Sequence, residues 1–303
     1  MDLTIGPNPF FWQAARVRAF YANLAQSEAA RVVLGEVVCS KRLPFWQEEI
    51  PQAVETLLDT GKDVAITSLG LITLKRERKL TADLMDMGLP VEVNDLSALY
   101  YLPKGYSFWV GPLVNVYNDS TLKFLAERGA TRVCLPPELP MSAVAELCAV
   151  GRDLGVAIEV WGHGRLPLAI SGRCYHARLH DRAKDSCQFV CGEDPDGREV
   201  ETLDDQKFLV VNGVQTLSHT TATVAAQVEE LEAIGVASLR LSPQIGDFSG
   251  LIERYVGRLS GRLTAAELIA YLNGFEPAMD LSDGFLAGRY GAEWSKGGRT
   301  ARE

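Results

Sequence analysis

The sequence predicts a (β/α)8 TIM-like barrel, an α/β fold in which eight parallel strands alternate with helices. Three observations support this prediction: eight short apolar runs, helical periodicity between them, and glycines just after the helical segments. Runs that are apolar throughout suit strands covered on both faces of a parallel sheet. The length of 303 residues accommodates a single barrel, since about 250 residues are typical of that fold. An open doubly wound sheet is the alternative for the same alternation of elements.

The predicted elements follow one another in a regular order. The strand runs, rich in Val, Ile and Leu, lie at 3–6, 32–36, 64–68, 91–94, 108–111, 132–135, 157–161 and 238–241. Helical spacing of apolar residues predicts helices at 11–25, 44–60, 71–87, 120–128, 141–154 and 221–234. Only a short helix fits after the fourth strand, within 95–102. Glycine favours the left-handed conformation that ends many helices, and it directly follows five of these segments: Gly61, Gly88, Gly129, Gly155 and Gly235.

The region between strands seven and eight departs from this alternation. Residues 162–206 carry glycines, charges and three cysteines without clear periodicity. Residues 207–217 read as a hairpin with Asn212-Gly213 as its turn signal. We therefore predict one barrel domain at 1–281 with a cysteine-bearing insertion at 162–217. The tail at 282–303 ends in a polar, glycine-rich stretch, so partial disorder is expected there.

The composition narrows the functional classes. Hydrophobic residues make up 47 % and charged residues 23 % of the chain, as in ordinary globular proteins. The net charge of −9 argues against non-specific binding to nucleic acid or to anionic membranes. No apolar run reaches the length of a membrane span, and the first residues lack a signal-peptide pattern. A cytoplasmic protein with no membrane insertion and no nucleic-acid partner is the expectation.

Four of the six cysteines suggest a metal centre. Cys39 follows strand two, whereas Cys174, Cys187 and Cys191 lie in the insertion after strand seven. In a barrel, both segments open on the C-terminal face, so an insertion folded over the mouth can bring the thiols together. Four thiolates suit tetrahedral zinc or an iron–sulfur cluster. Unconnected thiols are the simpler alternative.

Cationic and imidazole side chains surround these cysteines. They either offset thiolate charge and lower thiol pKa values, or they form a solvated charged loop. Cys134 and Cys148 lie in a strand and in an apolar helix, so we predict both to be small core residues. The positively charged and imidazole residues between 173 and 184 are Arg173, His176, Arg178, His180, Arg182 and Lys184.

Polar residues at the predicted barrel mouth are candidates for holding an anionic small molecule. Glu36, at the end of a strand, is the strongest candidate for a role in the site. His163 ends strand seven, where a supporting or structural role is expected. The remaining polar candidates at the mouth are Lys41, Arg42, Asn94, Asn115 and Arg165, and Arg173 joins them from the insertion. Each of these polar residues also has a simpler interpretation as structural or solvated.

The segment from Gly162 to Cys174 resembles the signature of the collagenase-like peptidase family, in which His-Gly-x-x-Cys is followed by Ser-Gly-x-Cys. Here Pro167 stands in place of the first of those cysteines, and the later cysteine is Cys174. The resemblance covers roughly residues 1–275. The sequence contains neither H-E-x-x-H nor G-x-S-x-G, so it offers little support for peptidase activity. The other matching pieces are 35–42, 164–169, 212–216 and 240–244.

Within that family, the chain resembles members that act in oxygen-independent ubiquinone biosynthesis. The resemblance implies a [4Fe–4S] cluster on Cys39, Cys174, Cys187 and Cys191, and a heterodimer with a UbiU-like protein. It implies a non-catalytic or co-catalytic subunit that takes part in hydroxylating a ubiquinone precursor, with prephenate as oxygen donor and a lipid-binding pathway protein as a further partner. One alternative is a partner-binding barrel in which zinc or an iron–sulfur cluster holds the insertion in place. The others are a peptidase-like or an RNA-modifying member of the family.

Overall fold

Eight parallel strands close into a barrel in the computed structural model, which describes residues 1–295. The barrel consists of β1 to β7 and β11, and four further strands lie outside it. The strands are β1 (Asp2–Ile5), β2 (Arg31–Leu34), β3 (Asp63–Thr67), β4 (Val91–Val93), β5 (Phe108–Val110), β6 (Ala130–Cys134), β7 (Ala157–Ile170), β8 (Arg198–Glu201), β9 (Lys207–Asn212), β10 (Gln215–Thr223), β11 (Ser238–Leu241) and β12 (Leu281–Ser282).

The strand pairing decides between the two predicted topologies. From β1 to β7, each strand pairs in parallel with the next. Strand β11 then pairs in parallel with both β7 and β1, which closes the ring. The barrel is therefore confirmed, and the alternative of an open sheet is wrong because no edge is left between β7 and β1.

Helices cover the outside of the barrel. Most lie where the periodicity predicts them, and the five predicted glycines all have positive φ. The short helix after β4 is a 3₁₀ helix at Leu96–Tyr101. The α-helices are α1 (Ala14–Gln26), α2 (Glu49–Asp59), α3 (Lys75–Leu84), α4 (Asp119–Ala126), α5 (Met141–Leu154), α6 (Tyr175–Leu179), α7 (Val228–Ile234), α8 (Phe248–Leu259) and α9 (Ala265–Asn273).

Two predicted segments differ from the structure. Residues 162–170, predicted to be irregular, continue strand β7 beyond the barrel. The predicted helix at 221–234 is wrong at its start, because Thr221–Thr223 end β10 and the helix begins only at Val228. Both corrections have one cause: β10 pairs antiparallel with the extension of β7, so the backbone groups of both segments are satisfied in a sheet. Strands β9 and β8 extend that sheet further.

The predicted hairpin is confirmed, but its turn is shifted by one residue. Asn212 and Gln215 pair across the two strands, so the central residues of the turn are Gly213 and Val214. Gly213 has φ of +63°, as required at the first central position of a type II′ turn, where glycine is preferred.

The interior of the barrel is partly charged. Arg240 on β11 donates from Nε to Glu159 on β7 at 2.6 Å, and both of its Nη atoms donate to Glu92 on β4. Arg240 is 2 % exposed and both carboxylates are fully buried. Thus β4, β7 and β11 are held together by an ion network as well as by their hydrogen-bond ladders, whereas the outward apolar side chains of the strands pack against the helices.

The described part of the tail packs against the barrel. Residues Leu281–Ser282 pair with β10, and the buried carboxylate of Asp283 accepts hydrogen bonds from Gln227 and Ser295. The rest of the tail for which disorder is predicted, 296–303, lies outside the described residues. Within the described residues, the structure contains no helix that is both long enough and apolar enough to cross a bilayer.

Candidate functional site

One small cavity brings together four thiols from distant parts of the sequence. Cys39, Cys174, Cys187 and Cys191 all line it, and its empty volume is about 350 Å³. Cys39 comes from the loop after β2, whereas the other three come from the segment between β7 and β8. The two remaining thiols, Cys134 and Cys148, are almost fully buried in a strand and a helix, as predicted.

Local backbone geometry sets the position of each thiol. Cys174 is the N-cap of α6, and its Sγ accepts a hydrogen bond from the backbone of Ala177 at 3.4 Å. Between Cys187 and Cys191, Gln188 and Phe189 have φ of +51° and +55°. Two consecutive non-glycine residues in this region are strained, and such strain occurs most often at functional sites. The segment that carries the last two thiols therefore contains conformationally strained backbone.

A buried arginine borders the same cavity. Arg42 lines it, and its guanidinium donates to the carbonyl of Pro9 at 2.8 Å and to Asn212 Oδ1 at 2.9 Å. Glu36 Oε1 lies 4.0 Å from Arg42 and accepts hydrogen bonds from the backbone of Val38 and Cys39. Burial raises the pKa of Glu36 to about 7, against the opposing effect of Arg42. Arg42 thus connects the Cys39 loop to the β9–β10 hairpin and brings a positive charge to the thiols.

Lysines hold the outer side of the thiol segment. Lys41 Nζ donates to the carbonyl of Lys184 at 2.6 Å and lies 3.2 Å from Asp185 Oδ1, and both lysines line the cavity. Burial raises the pKa of the Cys39 thiol, and Arg42 opposes that shift. Burial also raises the pKa of Cys174, and the backbone N–H of Ala177 opposes it. Both shifts favour the neutral thiol, and a bound metal cation would act in the opposite direction by stabilising the thiolate.

The spacing of the sulfurs limits what they can hold. Among the described residues, no three of the four sulfurs lie within 4.8 Å of one another. Four thiolates around one zinc ion, each at about 2.3 Å from it, stand only about 3.8 Å apart. In any three of these sulfurs, at least one separation is therefore wider than one tetrahedral zinc ion requires.

A second cavity lies at the C-terminal mouth of the barrel, with an empty volume of about 580 Å³. Asn94 and Arg165, both predicted for this mouth, line it. Their polar atoms are largely engaged: Arg165 donates to the carbonyls of Ser218 and His219, and Asn94 Nδ2 donates to Thr67 and Glu92. Prolines and apolar side chains form much of the wall, so the cavity suits a ligand with a substantial apolar part.

The other predicted site residues lie elsewhere. Asn115 and Arg173 are exposed, and neither lines the two cavities described above. Buried His163 bonds Gln244 through Nε2 and the Tyr255 hydroxyl through Nδ1, both at 3.2 Å. Burial lowers the pKa of His163 to about 4, so the ring is neutral and supports the strand. A role of Asn115 and Arg173 in a mouth site therefore stays a prediction.

Several residues of the cavities were not singled out by the sequence. Asp196 and Gln244 line the barrel mouth, and burial raises the pKa of Asp196 to about 6. His176 and His180 line neither cavity; in the sequence they belong to the cationic stretch of the insertion, and their i, i+4 spacing places both side chains on one face of a helical turn. No local pattern identifies Asp196, because it lies in an irregular loop that tertiary packing brings to the mouth.

Comparison with known proteins gives one family match over most of the chain. The profile described as Peptidase family U32 matches residues 13–253. The tRNA hydroxylation protein P of Haemophilus influenzae is 34 % identical over 80 residues, a match that spans 25 % of this chain and 17 % of that protein.

Two solved structures align with much of the chain at low TM-scores. An uncharacterized B. cereus protein superposes with a TM-score of 0.46 and 13 % identity, covering 87 % of this chain and 65 % of that one. D-Psicose 3-epimerase from Clostridium cellulolyticum H10 superposes with a TM-score of 0.30 and 13 % identity, covering 90 % of this chain and 98 % of that one.

Proposed function

The chain belongs to peptidase family U32, and we propose that it is the iron–sulfur subunit of a UbiU–UbiV-type complex for hydroxylation without O2 in ubiquinone biosynthesis. The observation that carries the proposal is the convergence of four thiols, from two distant segments, on one cavity. Four cysteines are a ligand set that suits a [4Fe–4S] cluster, and no three of the described sulfurs stand as close together as one zinc ion requires. Bound there, such a cluster supplies one-electron transfer or holds the segment in place.

The residues around the thiols have defined roles in this proposal. Cys39, Cys174, Cys187 and Cys191 would hold the cluster. Arg42, which also lines the cavity, offsets the negative charge that four thiolates bring into a buried place. Hydrogen bonds to the carbonyl of Pro9 and to Asn212 Oδ1 hold the guanidinium in this position.

The hydroxylation chemistry is supported by family membership and by a relative whose name refers to tRNA hydroxylation. We propose a ubiquinone precursor as the molecule hydroxylated, prephenate as oxygen donor, and a UbiU-like protein as the heterodimer partner, with a lipid-binding protein delivering the precursor. The apolar walls of the barrel-mouth cavity suit an aromatic ring. All six cysteines are free thiols, which is consistent with a cytoplasmic location.

An iron, sulfide and zinc assay tests the cluster on chain purified without oxygen. We expect about four irons and four sulfides per chain. Cys39→Ala and Cys187→Ala remove one thiol each from the two segments, and both are expected to lose most of the iron. Cys148→Ala is the matched control, because this thiol is buried in α5 and does not line the cavity.

The same assay separates the alternatives. A content of about one zinc per chain that is lost in the Cys39 and Cys187 variants would reject the cluster. It would favour a structural zinc ion that holds the cysteine segment in place. Iron that persists in both variants would contradict the proposed ligands. If wild type and Cys148→Ala carry equal iron while the two site variants carry none, assembly with a UbiU-like protein becomes the next measurement.

RNA modification is the second candidate, because the relative from Haemophilus influenzae is named for tRNA hydroxylation. The match spans only 17 % of that protein, and the net charge of −9 opposes general RNA binding. The two candidates differ in one measurement. Binding of tRNA at physiological salt, with no binding of a ubiquinone precursor, would favour the RNA substrate over the quinone.

A further inference from the structure

Two histidines and one aspartate form a cluster beside the thiol-bearing segment. His176 lies in α6 and His180 is its C-cap, while Asp194 follows the 3₁₀ turn at Val190–Gly192. Among the described residues, this is the one group of three metal-ligating side chains whose ligand atoms all lie within 4.8 Å of one another. His176 is fully buried, and the other two are partly exposed.

The hydrogen bonds of His176 fix which nitrogen faces Asp194. Its Nδ1 lies 3.2 Å from the carbonyl oxygen of Val211. A carbonyl only accepts, so Nδ1 carries the hydrogen and donates it. Its Nε2 lies 2.8 Å from Asp194 Oδ2, and a carboxylate oxygen is also an acceptor. With that hydrogen on Nδ1, the Nε2 lone pair and Asp194 Oδ2 face the same point, where they can share one cation, either a proton or a metal ion.

His180 and the surroundings indicate a metal ion rather than a shared proton. The ring of His180 stacks parallel to His176 with centroids 5.7 Å apart, and within the described part of the chain its nitrogens have no hydrogen-bond partner. If His176 and Asp194 shared only a proton, His180 would have no role in the cluster. Histidines that bind metals almost always donate their other ring N–H to a carbonyl or carboxylate, as His176 does to Val211.

We propose that His176, His180 and Asp194 bind one divalent first-row transition-metal ion, of the Zn²⁺ or Fe²⁺ type. Two imidazoles and one carboxylate are a ligand set that suits these ions and leaves coordination positions for water. The site uses none of the four thiols, and it does not rest on the proposed function. The ion joins α6, just after Cys174, to the loop just after Cys191 and so fixes both ends of the thiol segment.

Titration with Co²⁺ alone tests this site, since cobalt reports its ligands by absorption. Full-length chain purified without oxygen is expected to bind one Co²⁺ with weak visible bands and no sulfur-to-cobalt charge-transfer band. His180→Ala and Asp194→Asn are each expected to weaken this binding more than about 100-fold, because even outer partners of metal ligands contribute 10–100-fold. His219→Ala is the matched control, a partly exposed histidine whose Nδ1 bonds the carbonyl of Phe208.

The outcomes are distinct from those of the iron and sulfide assay. Cobalt that shows only sulfur charge transfer belongs to the thiols and overturns the proposal. Equal affinity in wild type and His180→Ala also overturns it, as does the absence of binding. Far-ultraviolet circular dichroism checks that His180→Ala is folded, which is expected because its ring makes no hydrogen bond within the described residues. Loss in Asp194→Asn and His180→Ala, with His219→Ala unchanged, supports the site whether or not iron is present.

Discussion

The buried ion network inside the barrel makes the sharpest stability prediction. Arg240→Met keeps most of the side-chain volume but removes three hydrogen bonds to carboxylates. Glu159 retains Ser238 at 3.0 Å and Arg132 at 4.0 Å, so it keeps a cation nearby. Among residues 1–295, Glu92 retains only the amide of Asn94, so it is left there as a buried carboxylate without a cation.

Removing one partner of a buried ion pair costs about 3–5 kcal/mol, because the remaining charge stays desolvated. That is a large part of the about 5–15 kcal/mol that stabilises a typical protein. We expect Arg240→Met to lower the free energy of unfolding by about 3–5 kcal/mol in urea, followed by tryptophan fluorescence. Adding Glu92→Gln to this variant is expected to restore part of the loss, because the unpaired charge is then gone.

The matched control is Lys123, which bonds Asp119 at 2.9 Å in a pair whose two side chains are both 52 % exposed. Lys123→Met is expected to leave the urea midpoint almost unchanged, because water screens an exposed pair. The reasoning is refuted if Arg240→Met costs less than about 1 kcal/mol, well below the range for a buried pair. It is also refuted if Glu92→Gln makes the Arg240→Met variant less stable still.

Two further predictions concern the cavities. Gly213→Ala is expected to lower both the melting temperature and the iron content, because its Cβ would come within 2.7 Å of Arg42 Nη2. Gly261→Ala has a similar positive φ and open space, so it should lower only the melting temperature; equal iron content in the two variants would contradict the role of Arg42. Asp196→Asn is expected to be more stable than wild type by about 1–2 kcal/mol at pH 8, since burial favours the protonated acid. The pKa of Asp196 is raised to about 6, so its contribution to stability is full below about pH 4 and is lost as pH rises through 6. Urea midpoints at pH 5 and pH 8 check this, and a pH-independent difference would argue against it.

Much of the fold was predictable because it depends on local patterns. All eight barrel strands were located within a few residues, since each is a short apolar run between helical segments. The errors lie where strands pair over long distances. Residues 162–170 and Thr221–Thr223 carry no clear strand signal, and they become strands because each pairs with the other.

The candidate site was predictable in part for a similar reason. Cysteines are rare and chemically distinct, so their positions after β2 and β7 predicted a shared location. Polar residues at strand ends are common, so such a position is a weaker signal than a cysteine, and the exposed Asn115 lines neither cavity. Asp194 carried no signal at all, because only the folding of its loop against α6 places it beside His176.

The sequence by itself determined the barrel, the hairpin and the four thiols of interest, because periodicity, turn chemistry and cysteine spacing act over short stretches of chain. Only the tertiary structure decided which charges are buried together. Arg240 and Glu92 lie 148 positions apart in the sequence, and barrel closure brings them into contact. The same closure and strand extension set Arg42 against the thiols and His176 against Asp194. Contacts of this kind depend on distances in space, which one-dimensional patterns do not encode.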